Sequence, residues 1–331
     1  MGSTPTVSVV MPTYNRLRSL QRALQGLAEQ TRLERPIEVI VVSDGSTDGT
    51  DSYLASAEPP LPIVTFSQEN AGPAAARNRG VDAATGELVL FLDDDVVPTP
   101  GLVAAHLRDH DQADDDLVVI GPMNTPPDHD ISPWVQWEQN MLAKQYEAMD
   151  RGVYAATPRQ FYTGNASVAR RHVIAAGGFD TAFRRAEDVE LAYRLADRGL
   201  RFSFDHDAVV LHYADRSFDA WRRMATDYGR NDVIFARDKG RTWLLDSIAR
   251  EFGDRNTLIR GLTRTCLPRP RFAKAASSVL AAVARSAGRV GVEPVAQRAL
   301  SAVYNLDYYR GMADELGDPA DLLARFDQAA A

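Results

Sequence analysis

One cysteine, Cys266, stands in a chain of 331 residues, and a lone thiol excludes an internal disulfide and any cysteine-built zinc site. That scarcity suits a reducing compartment. Long apolar runs are also missing: none approaches the ~20 residues needed to span a bilayer. No secretory leader is read at the start, where Met1-Gly2-Ser3-Thr4-Pro5 runs straight into a strand pattern. These absences predict a soluble, cytoplasmic protein, peripheral at most at the inner face of a membrane. The first strand is not followed by Gly-x-Gly-x-x-Gly, and no Gly-Lys-Ser/Thr occurs. Both absences count against a nicotinamide-binding Rossmann domain and a P-loop. There is no internal repeat and no low-complexity linker.

What is present is ordinary for a globular protein: 45% hydrophobic and 25% charged residues. The length allows one large domain or two modest ones. A formal charge of −8 argues against a nucleic-acid partner. The charge is uneven, because from Arg216 to Arg289 basic residues outnumber acids roughly two to one. Such a face is ordinarily just solvated; the alternatives are contact with an anionic acceptor or with a membrane surface. A homo-oligomer contact in the helical C-terminal part is a further expectation.

The N-terminal third alternates short apolar runs with amphipathic patterns, as parallel sheets with crossover helices do. Strands are predicted at 7–11, 37–42, 62–66, 88–91 and 117–120. A helix over 16–30 carries Leu17, Leu20, Leu24 and Leu27 on one face. Pro73 opens another helix. Further on, the pattern predicts a helix from Trp134 to Met149, a strand over 161–168, a helix over 187–198 closed by Gly199, and a strand ending at His212. Beyond Phe218 only helical patterns remain.

Chemistry concentrates at strand ends. In open α/β sheets, ligands bind where the carboxyl ends of parallel strands converge. Four such ends carry polar groups: Pro12-Thr13-Tyr14-Asn15, Ser43-Asp44-Gly45-Ser46, Gln68-Glu69-Asn70-Ala71-Gly72 and Asp93-Asp94-Asp95. Three adjacent carboxylates after the dry run Leu88–Phe91 need a counter-charge, and a divalent cation with a phosphorylated ligand supplies one. A plain acidic turn fits that motif alone equally well. Tyr14 could stack a base, Asp44 could accept from a ring N–H, and Arg77 could pair with a carboxylate or phosphate.

Taken in order, Val9–Asn15, Val41–Thr50, Asn70-Ala71-Gly72 with Ala76–Gly80, and Phe91–Asp95 resemble family 2 glycosyltransferases. The resemblance runs over about the first 215 residues. It implies an α/β GT-A fold, a Rossmann-like sheet with helices on both faces, plus a helical C-terminal segment. The corresponding domains are 1–216, with a donor half to about 121 and an acceptor half beyond it, and 217–331. It also implies inverting transfer from a nucleotide-sugar donor, usually UDP-linked, with Mn²⁺ or Mg²⁺ at a DXD motif. The acceptor is a saccharide, lipid, peptide or small molecule.

Carried over by residue, Asp44 reads the uracil ring and Pro12, Thr13 and Tyr14 contact the nucleoside, flanked by Asn15, Ser46 and Arg77. Asp94 meets the ribose, Asp95 the metal, and Asp93 assists either. Ser43 departs from the family's usual second aspartate. In Glu187-Asp188, Asp188 is the general base and Glu187 orients the acceptor; the competing reading is a pair that only complements the helix dipole. Arg184-Arg185-Ala186 replaces a common glycine, which puts Arg185 close to the acceptor or phosphates. His212 is a candidate metal ligand. Gly164 and Asn165 line the donor-sugar pocket, and Trp134 and Trp137 either shape an acceptor site or pack a core. The runs Asp109-His110-Asp111, Asp128-His129-Asp130 and Asp205-His206-Asp207 are expected to be exposed turns. Two rivals remain: a catalytically silent nucleotide-sugar-binding scaffold and a sugar nucleotidyltransferase, the latter disfavoured because Pro12–Arg16 lacks glycine.

Overall fold

The computed structural model describes residues 7–30, 35–56, 58–114 and 116–330. The segment Met1–Pro5, read above as leading into the first strand, lies outside them. Ten strands form: β1 (Val7–Thr13), β2 (Ile37–Asp44), β3 (Val64–Gln68), β4 (Leu88–Leu92), β5 (Val96–Pro98), β6 (Leu117–Ile120), β7 (Met123–Asn124), β8 (Asn165–Ala169), β9 (Arg201–Phe204) and β10 (Val210–His212). The chain divides into two compact units, Met1–His129 with Met141–Ala214, and Asp130–Asn140 with Asp215–Ala331.

The first unit is built on a seven-stranded sheet ordered β3-β2-β1-β4-β8-β6-β9. The central strand β4 is apolar at every position, and β1 and β2 carry runs of consecutive apolar residues, because both faces are covered. Val9, Met11, Val39, Val41, Leu90 and Leu92 face one core, which the helix Leu17–Ala28 closes with Leu20, Leu24 and Leu27. The alternate residues Val10, Ile40, Val42, Val89 and Phe91 face a second core, under the helices Pro73–Ala83 and Glu187–Asp197. Neighbouring residues thus serve opposite layers, as the two-residue period of a strand requires.

Strand β1 pairs in parallel with β2 and β4, and β2 with β3, so the polar ends of all four meet at one edge. The sheet is nonetheless mixed. Strand β8 runs antiparallel between β4 and β6, with Asn165 opposite Leu92. Its start, not its end, therefore reaches the same edge. The strand expected over 161–168 shrinks to Asn165–Ala169, preceded by a 3₁₀ turn at Pro158–Gln160 that Thr157 caps. The third strand begins at Val64 instead of Pro62, since β3 is an edge strand and proline offers no ladder N–H. A small second sheet, β5-β10-β7, was not foreseen beyond the strand ending at His212.

The second unit is helical among its described residues. The helices Phe218–Asp238 and Glu293–Leu316 touch backbone to backbone: a Cβ on Gly229 or on Gly311 would lie 2.0 Å from a carbonyl oxygen of the other helix. An ion pair on a buried carboxylate, Arg222 Nε to Asp307 Oδ2 at 2.6 Å, spans the same crossing. Cys266 is buried in this unit, and burial pushes its thiol pKa up. No helix among the described residues is long and apolar enough to cross a membrane.

In the first unit, Gly80 sets how closely the helix bearing Arg77 sits on β1, because a Cβ there would come within 2.4 Å of Val10 Cγ1. Gly80→Val is expected to destabilise the protein by about 2 kcal/mol or more through overpacking, read from the urea midpoint. An unchanged midpoint would show that the helix can lift off the sheet without cost.

Candidate active site

At the converging strand ends lies a cavity of about 460 Å³, lined by Pro12, Thr13, Tyr14, Asp44, Asp93 and Asp94 together with three arginines, Arg16, Arg77 and Arg184. Tyr14 is half exposed over it. Asp44 ends β2 and is buried. It accepts hydrogen bonds from Gln68 Nε2 at 2.8 Å and Ala71 N at 2.9 Å through Oδ1, and from Gly72 N at 2.8 Å through Oδ2. One carboxylate thus folds the loop after β3 against the end of β2. Gly72 holds φ +94°, a conformation that favours glycine, and a Cβ on it would meet the tip of Arg184 at 2.9 Å.

The acidic turn after β4 is neutralised by arginine. Asp93 Oδ1 lies 2.7 Å from Arg77 Nη2. A single nitrogen, Arg16 Nη1, contacts Asp94 Oδ1 at 3.1 Å and Asp95 Oδ2 at 2.6 Å. The Thr13 hydroxyl also donates to Asp94, at 2.7 Å. Burial, opposed by Arg16, pushes the Asp94 carboxyl pKa up to about 6. Asp95 goes the other way. Against its own burial, the His212 imidazole and the Arg16 guanidinium hold it below the usual carboxylate range.

His212 arrives by strand pairing. Strand β10 runs antiparallel to β5 with His212 opposite Val96, and Tyr213 N donates to Asp95 O at 2.9 Å. His212 Nε2 consequently stands 3.7 Å from Asp95 Oδ1. Among the described residues no cluster of three or more His, Cys, Asp or Glu side chains forms a ready-made metal cage. A carboxylate facing an imidazole still fits an ion that takes its remaining ligands from water and substrate phosphates, as Mg²⁺ and Mn²⁺ do.

Arg77 continues the chain of charges. Its Nη1 lies 2.7 Å from Glu187 Oε1, and both side chains are buried. Glu187 and Asp188 open the helix Glu187–Asp197 after Ala186, which takes a left-handed conformation with φ 61° and makes no side-chain cap. The pair is therefore not a capping box. Asp188 Oδ1 accepts from its neighbour Val189 N, at 2.8 Å. Burial first, then the charge of Glu187, pushes its carboxyl pKa up to about 7.

Other anticipated residues take supporting positions. Asn15, at φ 53°, accepts from Thr47 N at 2.7 Å and donates through its backbone N to Ser46 Oγ at 3.1 Å, locking the first loop to the second. Gly164 reaches the edge, where a Cβ would sit 3.4 Å from Asp93 Oδ2. Asn165 is fully buried; it meets His106 Nε2 at 3.0 Å and donates to Ala208 O at 2.7 Å, so its amide is spent inside the sheet and not on an open pocket. Trp137 packs on Trp221 and Tyr304 in the second unit, and Trp134 donates to Arg216 O at 2.8 Å. Their three-residue spacing is that of a core face. Arg184, not Arg185, lines the cavity.

One of the acid–His–acid runs is not an exposed turn: Asp109-His110-Asp111 lies in the helix Leu102–Gln112, with His110 Nε2 2.8 Å from Ser167 Oγ. Asp205-His206-Asp207 does form a turn with His206 and Asp207 exposed, while Asp205 is buried against Arg108, at 2.8 Å. The residue that sequence reasoning passed over is Arg16. Its only signal was a basic residue directly after the first polar strand end.

The sequence pattern described as "Glycosyl transferase family 2" matches residues 8–185. The chain is similar to the validoxylamine A glucosyltransferase of Streptomyces hygroscopicus subsp. jinggangensis, with 33% identity over 229 residues, 62% of this chain and 54% of that protein. It is also similar to the pre-mycofactocin glycosyltransferase of Mycobacterium tuberculosis (strain H37Rv), at 28% identity over 67% of this chain and 46% of that protein. The chain thus spans about half the length of these relatives. In fold it is similar to the mannosyltransferase PcManGT of Pyrobaculum calidifontis, solved with GDP-Man and Mn²⁺. The TM-score is 0.59 and the identity 23%, over 91% of this chain and 86% of that one. S. aureus TarS 1–349, solved with UDP-GlcNAc, gives a TM-score of 0.55 at 18% identity, covering 95% of this chain and 92% of that one. These are likenesses of fold, and with them the expected GT-A architecture with added C-terminal helices holds.

Removing Arg77 leaves Glu187 and Asp93 without their shared cation. Arg77→Met is expected to cost about 3 kcal/mol in stability, and Arg77→Lys to recover only part of it, because one compact ammonium cannot stand both where Nη1 meets Glu187 and where Nη2 meets Asp93. Equal urea midpoints for Met, Lys and wild type would contradict this.

Proposed function

Because the chain belongs to glycosyl transferase family 2, we propose that it is a glycosyltransferase that moves a sugar from a nucleoside-diphosphate donor to an acceptor hydroxyl with inversion. The observation that carries this reading is Asp188. Its carboxyl pKa lies near neutrality, and it adjoins Glu187, which Arg77 ties to Asp93 at the donor edge. A base that stays half-protonated near pH 7 suits removal of a hydroxyl proton in the transition state.

On this reading, Tyr14 stacks the base and Asp44 reads its ring N–H. Three of the four acceptor positions of the Asp44 carboxylate are already filled. The one left suits uracil, with a single ring N–H, better than guanine, which presents two donors side by side. That supports UDP as the nucleotide. Asp94 faces the ribose side. Asp95 and His212 would hold Mn²⁺ or Mg²⁺, which when bound supplies positive charge to the departing diphosphate. The acceptor oxygen attacks the anomeric carbon as its proton passes to Asp188, and the bond from that carbon to the diphosphate oxygen breaks. Glu187 is held by Arg77 and positions Asp188 through charge.

A silent nucleotide-sugar-binding scaffold needs no ionisable Asp188. Titration of UDP and of GDP into the protein with Mn²⁺ or EDTA tests the donor half: metal-dependent UDP binding at least tenfold tighter than GDP binding is expected, and no metal-dependent nucleotide binding would overturn it. Sugar transfer from a UDP-sugar, lost in Asp188→Asn, separates the enzyme from a silent binder.

Asp188→Asn should leave donor binding intact while lowering kcat by roughly 10²–10⁴-fold; near-normal turnover would remove Asp188 from the base role. For the wild-type enzyme, kcat/KM should fall as pH drops through about 7, because the base is then protonated. Stability follows the opposite sign. The folded chain holds the Asp188 proton up to about 7, whereas the unfolded chain loses it near the ordinary value of about 4. Stability contributed by this group is thus full below about 4 and declines as pH rises through that window. Asp188→Asn should accordingly flatten the pH dependence of the melting temperature between those limits. An identical dependence in both proteins would contradict the assignment.

A further inference from the structure

We propose that Arg16 is an internal counter-ion that holds Asp95, together with Asp94, in place of the divalent ion, competes with that ion for Asp95, and turns to the donor diphosphate once displaced. This rests on the metal-dependent reading above and adds a positioning residue to it. Arg16 Nη1 stands between the two carboxylates, 2.6 Å from Asp95 and 3.1 Å from Asp94. A single nitrogen thus already gives Asp95 a cationic partner.

The two arginines of the acidic turn differ in freedom. The Arg77 side chain is 6% exposed and is clamped on both sides by carboxylates. Arg16 is 48% exposed, while Asp94 and Asp95 beneath it are 6% and 16% exposed. A movable cation therefore covers two nearly buried acids, and Asp95 Oδ2 is taken while it stays. The backbone beneath Arg16 is fixed: Asn15 is held left-handed by Thr47 and Ser46, and Leu17 N donates to Asp48 at 2.9 Å. Displacement thus requires only side-chain rotation. Arg16 also lines the 460 Å³ cavity, so a guanidinium leaving the acids stays within reach of an anionic ligand there, where a forked pair with phosphate is favoured.

The test is Mn²⁺ binding without nucleotide, followed by the paramagnetic resonance signal of the free ion, on the full-length wild type and on Arg16→Gln, Arg16→Lys and Arg18→Gln. Arg18 is exposed on the same helix and reports the effect of lost charge alone. Arg16→Gln is expected to bind Mn²⁺ at least about fivefold tighter than wild type. Arg16→Lys should return most of the way to wild type, and Arg18→Gln should stay within about twofold of it. UDP should enhance Mn²⁺ binding less in Arg16→Gln than in wild type, since the two ligands no longer share the displacement. Unchanged or weaker Mn²⁺ binding by Arg16→Gln, or an equal gain in Arg18→Gln, overturns the inference while leaving the metal reading intact. Absence of Mn²⁺ binding by the wild type even with UDP overturns both.

Discussion

Everything at the candidate site hangs on one buried guanidinium. Arg77, on a helix that packs against the middle of the sheet, reaches Asp93 on one side and Glu187 on the other. Through it the acidic turn is joined to Glu187, which lies 110 residues beyond Arg77 in sequence. Taking such charges out of water is costly unless the pairing is complete, so the position of the Glu187–Asp197 helix and that of the acidic turn become one constraint. Asp188 inherits its surroundings from this arrangement. Its neighbour Glu187 stays paired with Arg77, and burial together with that neighbour's charge raises the carboxyl pKa of Asp188.

The acidic turn shows how adjacent identical residues acquire different chemistry. Asp94 turns inward to Thr13 and is raised by burial, whereas Asp95 turns toward His212 and Arg16 and is lowered. Divergent pKa values within a pair of carboxylates mark a division of labour. The environment makes the difference, through one strand pairing that delivers His212 and one loop that delivers Arg16.

Close backbone approach is a second recurring device. Gly80 lets the Arg77 helix sit tightly on β1, and Gly72 leaves room for Arg184 beside Asp44. In the helical unit, Gly229 and Gly311 do the same for two crossing helices. There an ion pair on a buried carboxylate, Arg222 with Asp307, accompanies an aromatic cluster around Trp137 and Trp221. Trp137 packs among these neighbours, and the Trp134 indole N–H donates to Arg216 O.

Much was legible in the sequence because strand periodicity and strand ends are local properties. The runs at Val7, Ile37 and Leu88, the polar ends that follow them, and the acid pair opening the helix at Glu187 were all readable from residue order. Strand direction was not readable, since Asn165–Ala169 carries the same pattern whichever way it runs, and only pairing with β4 and β6 made it antiparallel. Nor was the fate of any one charge. Asn165 went to a buried amide network, Arg184 took the place expected of Arg185, and Arg16 came to rest on the acidic turn. The sequence by itself determined the layers, the edge where ligands gather and the residues available there. Tertiary structure alone decided which charge meets which, because ion pairing and desolvation depend on distances between segments far apart in the chain.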